Sequence, residues 1–204
     1  MSTLDLASLP APTVIEALSF EEYYQQALTE FRGLMGANWT AALESDPVVK
    51  LVERAAYEKL MTRARINDAA KAQLVAFARK SDLDHLAANY NVKRLTVIEA
   101  DPMAVPPIEA QYEEDDSLME RVLLAFEGMA VAGPSGAYEF HALSADGRVA
   151  DAKASSPSPA TVLVSILNRL NGGVATEDLL NKVRIALSDE TIRPADEHVT
   201  GQSA

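Results

Sequence analysis

The chain has 204 residues, 48% hydrophobic and 24% charged, enough for one large or two small domains with a real core. Eighteen Lys and Arg oppose 30 Asp and Glu, a net charge of −12, so nucleic-acid backbones and anionic membranes would meet a like-signed surface. Cysteine is absent, which excludes disulfide frameworks, thiolate zinc sites, iron–sulfur clusters and a cysteine nucleophile.

Mean hydropathy is −0.04. With no basic or apolar leader at Met1–Asp5 and no stretch of membrane-spanning length, it predicts a soluble, unsecreted protein folded in a reducing cytoplasm. Leu4 to Leu18 contain Leu9-Pro10-Ala11-Pro12, which forbids a helix there and predicts an extended arm. Ser19 is an N-cap with Glu21 and Glu22 in the following turn, for a helix from Phe20 to Leu34 ended by Gly33 and Gly36. Asp46-Pro47 opens a second helix, and no Gly or Pro follows until Pro102, which predicts a helix to about Arg79. Val48, Leu51, Val52, Ala55, Ile66, Ala69, Ala70 and Phe77 share its expected inward face. Lys59, Thr62 and Arg63 interrupt that face, while Tyr57, Leu60, Met61 and Ala64 cluster opposite. Ser81-Asp82-Leu83-Asp84 caps a third helix, Asp82 to Tyr90, and Lys93 to Ile98 read as a strand.

Ala100 to Glu114, with Pro102, Pro106 and Pro107, reads as a linker running into the acidic Glu113-Glu114-Asp115-Asp116. Charge shifts there from net −2 over residues 1–100 to net −10 over residues 101–204. The predicted organisation is an arm and helical region over 1–100, a proline-rich linker over 101–114 and an α+β domain over 115–204. In that last domain Asp115 to Gly128 is a helix with Leu118, Val122, Leu123 and Phe126 inward, followed by a helix from Ser135 to Ser144. Two strands, Arg148 to Ser155 and Ala160 to Leu167, flank Ser156-Pro157-Ser158-Pro159. Asn171-Gly172-Gly173 is a turn, Thr176 caps a helix through Leu187, and a strand lies around His198 to Gln202. The order ααββαβ makes an α+β fold with a small sheet, which looks incomplete at the C-terminus.

Catalytic patterns are poor. His85, His141 and His198 stand in separate elements, so no metal pair is spaced for ligation. Gly133-Pro134-Ser135-Gly136 with His141 and Asp146 imitates a serine hydrolase but lacks the Gly-x-Ser-x-Gly elbow between strand and helix. The acidic run has no EF-hand spacing and suits a helix N-terminus. No glycine-rich phosphate loop is present around Asn171. The helix from Asp82 to Tyr90, read as a DNA-recognition helix, carries no Arg or Lys.

Several segments carry a resemblance. These are Asp5-Leu6, Leu9-Pro10-Ala11-Pro12, Glu44-Ser45-Asp46-Pro47-Val48-Val49-Lys50-Leu51 and Ser81-Asp82-Leu83-Asp84-His85-Leu86-Ala87. The most specific block joins Gly133-Pro134-Ser135-Gly136-Ala137-Tyr138-Glu139-Phe140-His141, Ala145-Asp146-Gly147-Arg148-Val149-Ala150-Asp151 and Ser155-Ser156-Pro157-Ser158-Pro159-Ala160. Together they resemble the baseplate assembly protein J family of contractile-tailed bacteriophages and R-type pyocins, over nearly the whole chain. The resemblance implies a non-enzymatic structural subunit of the baseplate wedge, made in the bacterial cytoplasm and then built into the tail or pyocin particle. It implies as partners a second copy of the chain, a tail protein I-like wedge subunit and a lysozyme-like wedge protein that reaches the sheath. It implies no cofactor, metal, nucleic acid, membrane or small-molecule substrate. Family members usually continue past this point, which fits the unfinished sheet.

Three candidate sites follow. Tyr57, Leu60, Met61 and Ala64 are the expected partner interface. Gly133, Pro134 and Gly136 are the expected hinge. Leu6, Leu9, Pro10, Pro12 and Val14 are the anchors of an arm expected to dock on another surface.

Overall fold

The structure of the protein, a computed structural model, describes residues 9–10, 12–36, 39, 46–129, 135–189, 192 and 198–204. It comprises two compact units, Met1–Ala78 and Arg79–Ala204. The 101–114 segment expected to be a linker therefore lies inside the second unit, where it carries a β-ribbon.

In the first unit, helix α1 (Phe20–Met35) begins where Ser19 Oγ accepts the Glu22 N–H at 3.3 Å. Gly33 continues the helix, and Gly36, at φ 62°, ends it. Helix α2 (Pro47–Ala72) is capped by Asp46, whose Oδ1 accepts the Val48 N–H at 2.8 Å. It stops seven residues before the expected Arg79. Gln73 N–H bonds Ala70 O and Leu74 N–H bonds Lys71 O, tightening the final turn, and Phe77 and Ala78 both turn back onto Leu74 O.

α1 packs along α2, and the buried residues are Leu28 on α1 and Val49, Val52, Ala56 and Asn67 on α2. The inward face is thus rotated from the expected one. Of the eight residues expected inside, Val52 alone is buried, and Leu51 is 67% exposed and Ile66 46%. Adjacent apolar pairs, Val48-Val49, Leu51-Val52 and Ala55-Ala56, offer two stripes about 100° apart. The stripe that also carries Asn67 is the buried one.

In the second unit, helix α3 (Lys80–Ala88) starts earlier than expected and has no side-chain cap bond at Arg79. Asp115 Oδ2 instead accepts the Lys80 N–H at 3.1 Å. Strands β1 (Thr96–Ile98) and β2 (Gln111–Tyr112) pair antiparallel. Helix α4 (Asp115–Leu124) buries Leu118 and Val122 as expected. It ends short of Gly128, and Ala125 takes the next inward place. Leu123 and Phe126 consequently lie outside, 39% and 65% exposed, with Phe126 edge-on to Tyr90 at 5.4 Å.

Helix α5 (Ser135–Ala145) and helix α6 (Glu177–Leu187) cover one face of a three-stranded sheet in the order β3-β4-β5. β3 (Val149–Ser158) and β4 (Thr161–Asn168) form the expected hairpin, turned at Pro159-Ala160 with Ala160 at φ 59°. A bulge between Val149 and Asp151 shifts the inward positions of β3 to Val149, Ala152 and Ala154. β4 alternates regularly, burying Val162, Val164, Ile166 and Asn168. Thr176 Oγ1 caps α6 at Leu179 N–H, and α6 lays Leu179, Val183 and Leu187 on the sheet. β5 (His198–Ser203) then pairs parallel to β4. Both faces of the strands need not be apolar, because the helices cover one side only.

Candidate functional site

The arm meets α2 through one side chain. Asn67 is 7% exposed, its Oδ1 accepts the Glu16 N–H at 3.1 Å, and its Nδ2 donates to Glu16 O at 2.8 Å. Arg63 adds an ion pair to the Glu16 carboxylate at 2.8 Å. These side chains interrupt the apolar pattern of α2 because Asn67 holds the Glu16 backbone and Arg63 its carboxylate. Lys59 does similar work toward α1, donating to Gln26 Oε1 at 3.1 Å and lying 5.3 Å from the Tyr23 ring centre. Of the expected anchors, Leu6 lies outside the described residues. Leu9 and Val14 are 46% and 53% exposed, Pro10 is exposed, and Pro12 is half-buried and accepts the Ile15 N–H at 3.0 Å in a turn.

Tyr57 and Met61 are 54% and 51% exposed, and Leu60 and Ala64 are half-buried. Their spacing at i, i+3, i+4 and i+7 puts all four on one flank of α2, next to the buried stripe. Leu51, Ile66 and Ala69 form a second exposed apolar flank on the other side of that stripe.

Gly133 and Pro134 lie outside the described residues. Gly136 is buried as the second residue of α5, and a Cβ there would stand 3.1 Å from Glu127. Ser135 and His141 are not brought together. Six residues apart on α5, they project about 120° apart around the helix and about 9 Å apart along it. Ser135 borders a shallow depression with Tyr138, Ala154, Ser155, Ser156 and Val162. His141 instead donates from Nε2 to Gly128 O at 3.2 Å, and burial pushes its pKa down despite that bond.

The acidic run is consumed structurally. Glu113, 4% exposed, accepts the Leu95 N–H at 2.9 Å and pairs with Arg121 at 2.5 Å. Arg121, equally buried, also donates to Lys93 O and to Ser144 Oγ. Asp115 receives Arg94 at 2.6 Å, and although burial raises its pKa, the Lys80 and Arg94 bonds outweigh that and hold it low. Asp146 receives Arg148 at 2.8 Å and Lys182 at 3.1 Å, joining the start of β3 to α6. Among the described residues no buried side-chain nitrogen or oxygen lacks a hydrogen-bond partner, and no acidic or His cluster suits a metal ion. Among those residues, too, no helix is long and apolar enough to cross a membrane.

Sequence reasoning missed two features. Asn67 gave no signal because an Asn in mid-helix reads as solvent-facing. The ribbon after β1 was hidden by its prolines, yet its tip exposes Met103 and Val105 at 89% and 97%.

Known proteins match both units. The Baseplate J-like N-terminal domain matches residues 44–101, and the Baseplate J-like central domain matches residues 130–203. Baseplate protein J of Escherichia phage P2 is 47% identical over 210 aligned residues, covering all of this chain and 70% of the relative. On that identity over its full length, the chain belongs to the Baseplate J family.

Proposed function

We propose that the chain is a structural subunit of a baseplate wedge in a contractile phage tail or R-type pyocin. In this reading it joins the ring around the central spike and transmits the trigger for sheath contraction. The observation that carries the reading is the 47% identity to Baseplate protein J across the entire chain. The partners are a second copy, a tail protein I-like subunit and a lysozyme-like wedge protein, gathered in the host cytoplasm before the particle is complete.

The supporting surface is the flank of α2 at Tyr57, Leu60, Met61 and Ala64. Exposed large apolar side chains grouped on one helix face suit burial by another protein. Tyr57→Glu with Met61→Glu tests the surface, because both residues are more than half exposed. The variant keeps the helicity and melting of the parent but no longer co-purifies with its wedge neighbours. Unchanged co-purification would place the partner surface elsewhere, and unfolding of Met61→Glu alone would place that side chain in the core.

A further inference from the structure

Asparagine is followed by glycine once in the chain, at Asn171-Gly172, and aspartate once, at Asp146-Gly147. A following glycine matters because it has no Cβ to hinder the approach of its own nitrogen to the preceding side chain. Both turns therefore offer the same intramolecular chemistry in sequence, and the fold treats them differently.

Asn171 and Gly172 are the exposed crown of the turn between β4 and α6. The turn is held on either side of them. Asn168, 4% exposed, accepts the Leu170 N–H at 3.0 Å through Oδ1 and donates from Nδ2 to Val174 O at 3.0 Å. Gly173 N–H bonds Leu170 O at 3.2 Å, Val174 N–H reaches Asn171 O at 3.4 Å, and Ala175 N–H bonds Ser203 Oγ at 3.0 Å. Neither the Asn171 side-chain amide nor the Gly172 N–H has a hydrogen-bond partner among the described residues. Asn171 and Gly172 have φ of 56° and 64°, and a Cβ placed on Gly172 would meet nothing within 4 Å. The crown is thus free to change its backbone angles without displacing a neighbour.

Asp146-Gly147 is the opposite case. Asp146 Oδ1 accepts the Arg148 N–H at 2.9 Å, and Oδ2 takes the Arg148 guanidinium at 2.8 Å and Lys182 at 3.1 Å. A Cβ on Gly147 would lie 2.3 Å from Thr96 O. Its carboxylate is engaged and its backbone is wedged.

We propose that Asn171 is a site of spontaneous deamidation in the folded protein, converted to isoaspartate and aspartate. The Gly172 amide nitrogen gives its proton to solvent base and bonds to Asn171 Cγ. The Cγ–Nδ2 bond breaks, and Nδ2 takes up a proton and leaves as ammonia, which closes a five-membered imide. Water then adds to one imide carbonyl. Cleavage at the main-chain carbonyl gives isoaspartate, whose backbone runs through Cβ and Cγ, and cleavage at Cγ gives aspartate. Water is the only co-reactant. Either product adds a negative charge to a chain already at net −12. No partner is required, so the inference stands apart from the wedge reading.

Peptide mapping by mass spectrometry tests it, with enzymatic labelling of isoaspartate, on the full chain aged at near-neutral pH with and without urea. In native buffer the Asn171 peptide converts at least about tenfold faster than any other asparagine peptide, and no more than about tenfold slower than in urea. The Asp146-Gly147 peptide acquires isoaspartate in urea and is slowed more than about tenfold by folding. Asn171→Gln removes the early signal, because its longer side chain would have to close a six-membered ring. A folded chain in which Asn171 is slowed as strongly as Asp146, or in which another asparagine reacts first, overturns the proposal.

Discussion

Asn67 holds Glu16 by both of its backbone polar groups, donating at 2.8 Å and accepting at 3.1 Å across 51 positions of sequence. The amide is the right shape for this because it offers a donor and an acceptor side by side. The chain entering α1 is thereby fastened to α2 of the same molecule, leaving Leu9 and Val14 to face outward.

Asn67→Ala removes both bonds and leaves the Glu16 groups to find water. The expected loss is about 1–3 kcal/mol of stability. Proteolysis by a Glu-specific protease at Glu16 should become faster in the variant, while cleavage elsewhere keeps its order. Equal cleavage at Glu16 in both chains would show that Asn67 does not restrain the arm.

The Glu113–Arg121 pair is expected to behave as a buried unit. Each residue is 4% exposed, and Arg121 ties Lys93, Glu113 and Ser144 together. Removing one charge strands the other, so Glu113→Ala or Arg121→Ala should each cost about 3–5 kcal/mol in urea unfolding. The double variant should cost clearly less than the two losses added. Additive losses would mean that the two groups act independently.

The helix starts were legible in the sequence because Ser19, Asp46 and Thr176 are local devices, each bonding a backbone N–H within three residues. The β3–β4 hairpin and the final strand were legible for similar reasons. The end of α2 was not, since Gln73 to Ala78 contain no Gly or Pro and leave the helix through backbone bonds alone. Nor was the face of α2, where doubled apolar residues allow two stripes and long-range contact with the arm selects one. Prolines in residues 101–114 suggested a linker, although Asp101 and Ile108 close a ribbon there. The flank at Tyr57 and Met61 could be read from spacing, but the acidic ribbon tip needed the fold to bring its ends together.

Gly33 and Gly147 should respond oppositely to alanine. A Cβ at Gly33, inside α1, meets nothing within 4 Å, so Gly33→Ala should raise stability by about 0.5–1 kcal/mol. A Cβ at Gly147 would lie 2.3 Å from Thr96 O, so Gly147→Ala must move backbone and should lower the melting temperature. A tolerated Gly147→Ala would contradict the close approach of that turn to β1.

Acid should weaken the second unit through Asp146. Burial raises its pKa, but bonds from the Arg148 side chain and backbone and from Lys182 overcome this and hold it well below the usual carboxylate range. A carboxyl with a depressed folded pKa stabilises fully above its unfolded value of about 3.9, and that contribution disappears as pH falls through the folded value. Asp146→Asn should therefore cost about 1–3 kcal/mol at neutral pH, the range for bonds to a charged group. The gap from the parent should narrow below about pH 4. A gap that stays constant from neutral pH down to acid would show that the Asp146 charge is not the source.

The wedge assignment is tested most directly by native mass spectrometry of the full chain co-expressed with its neighbouring tail genes. The account predicts a complex of fixed stoichiometry that contains more than one copy of this chain together with a second wedge protein. A chain that emerges alone as a stable monomer, with those neighbours folded and present, would contradict it.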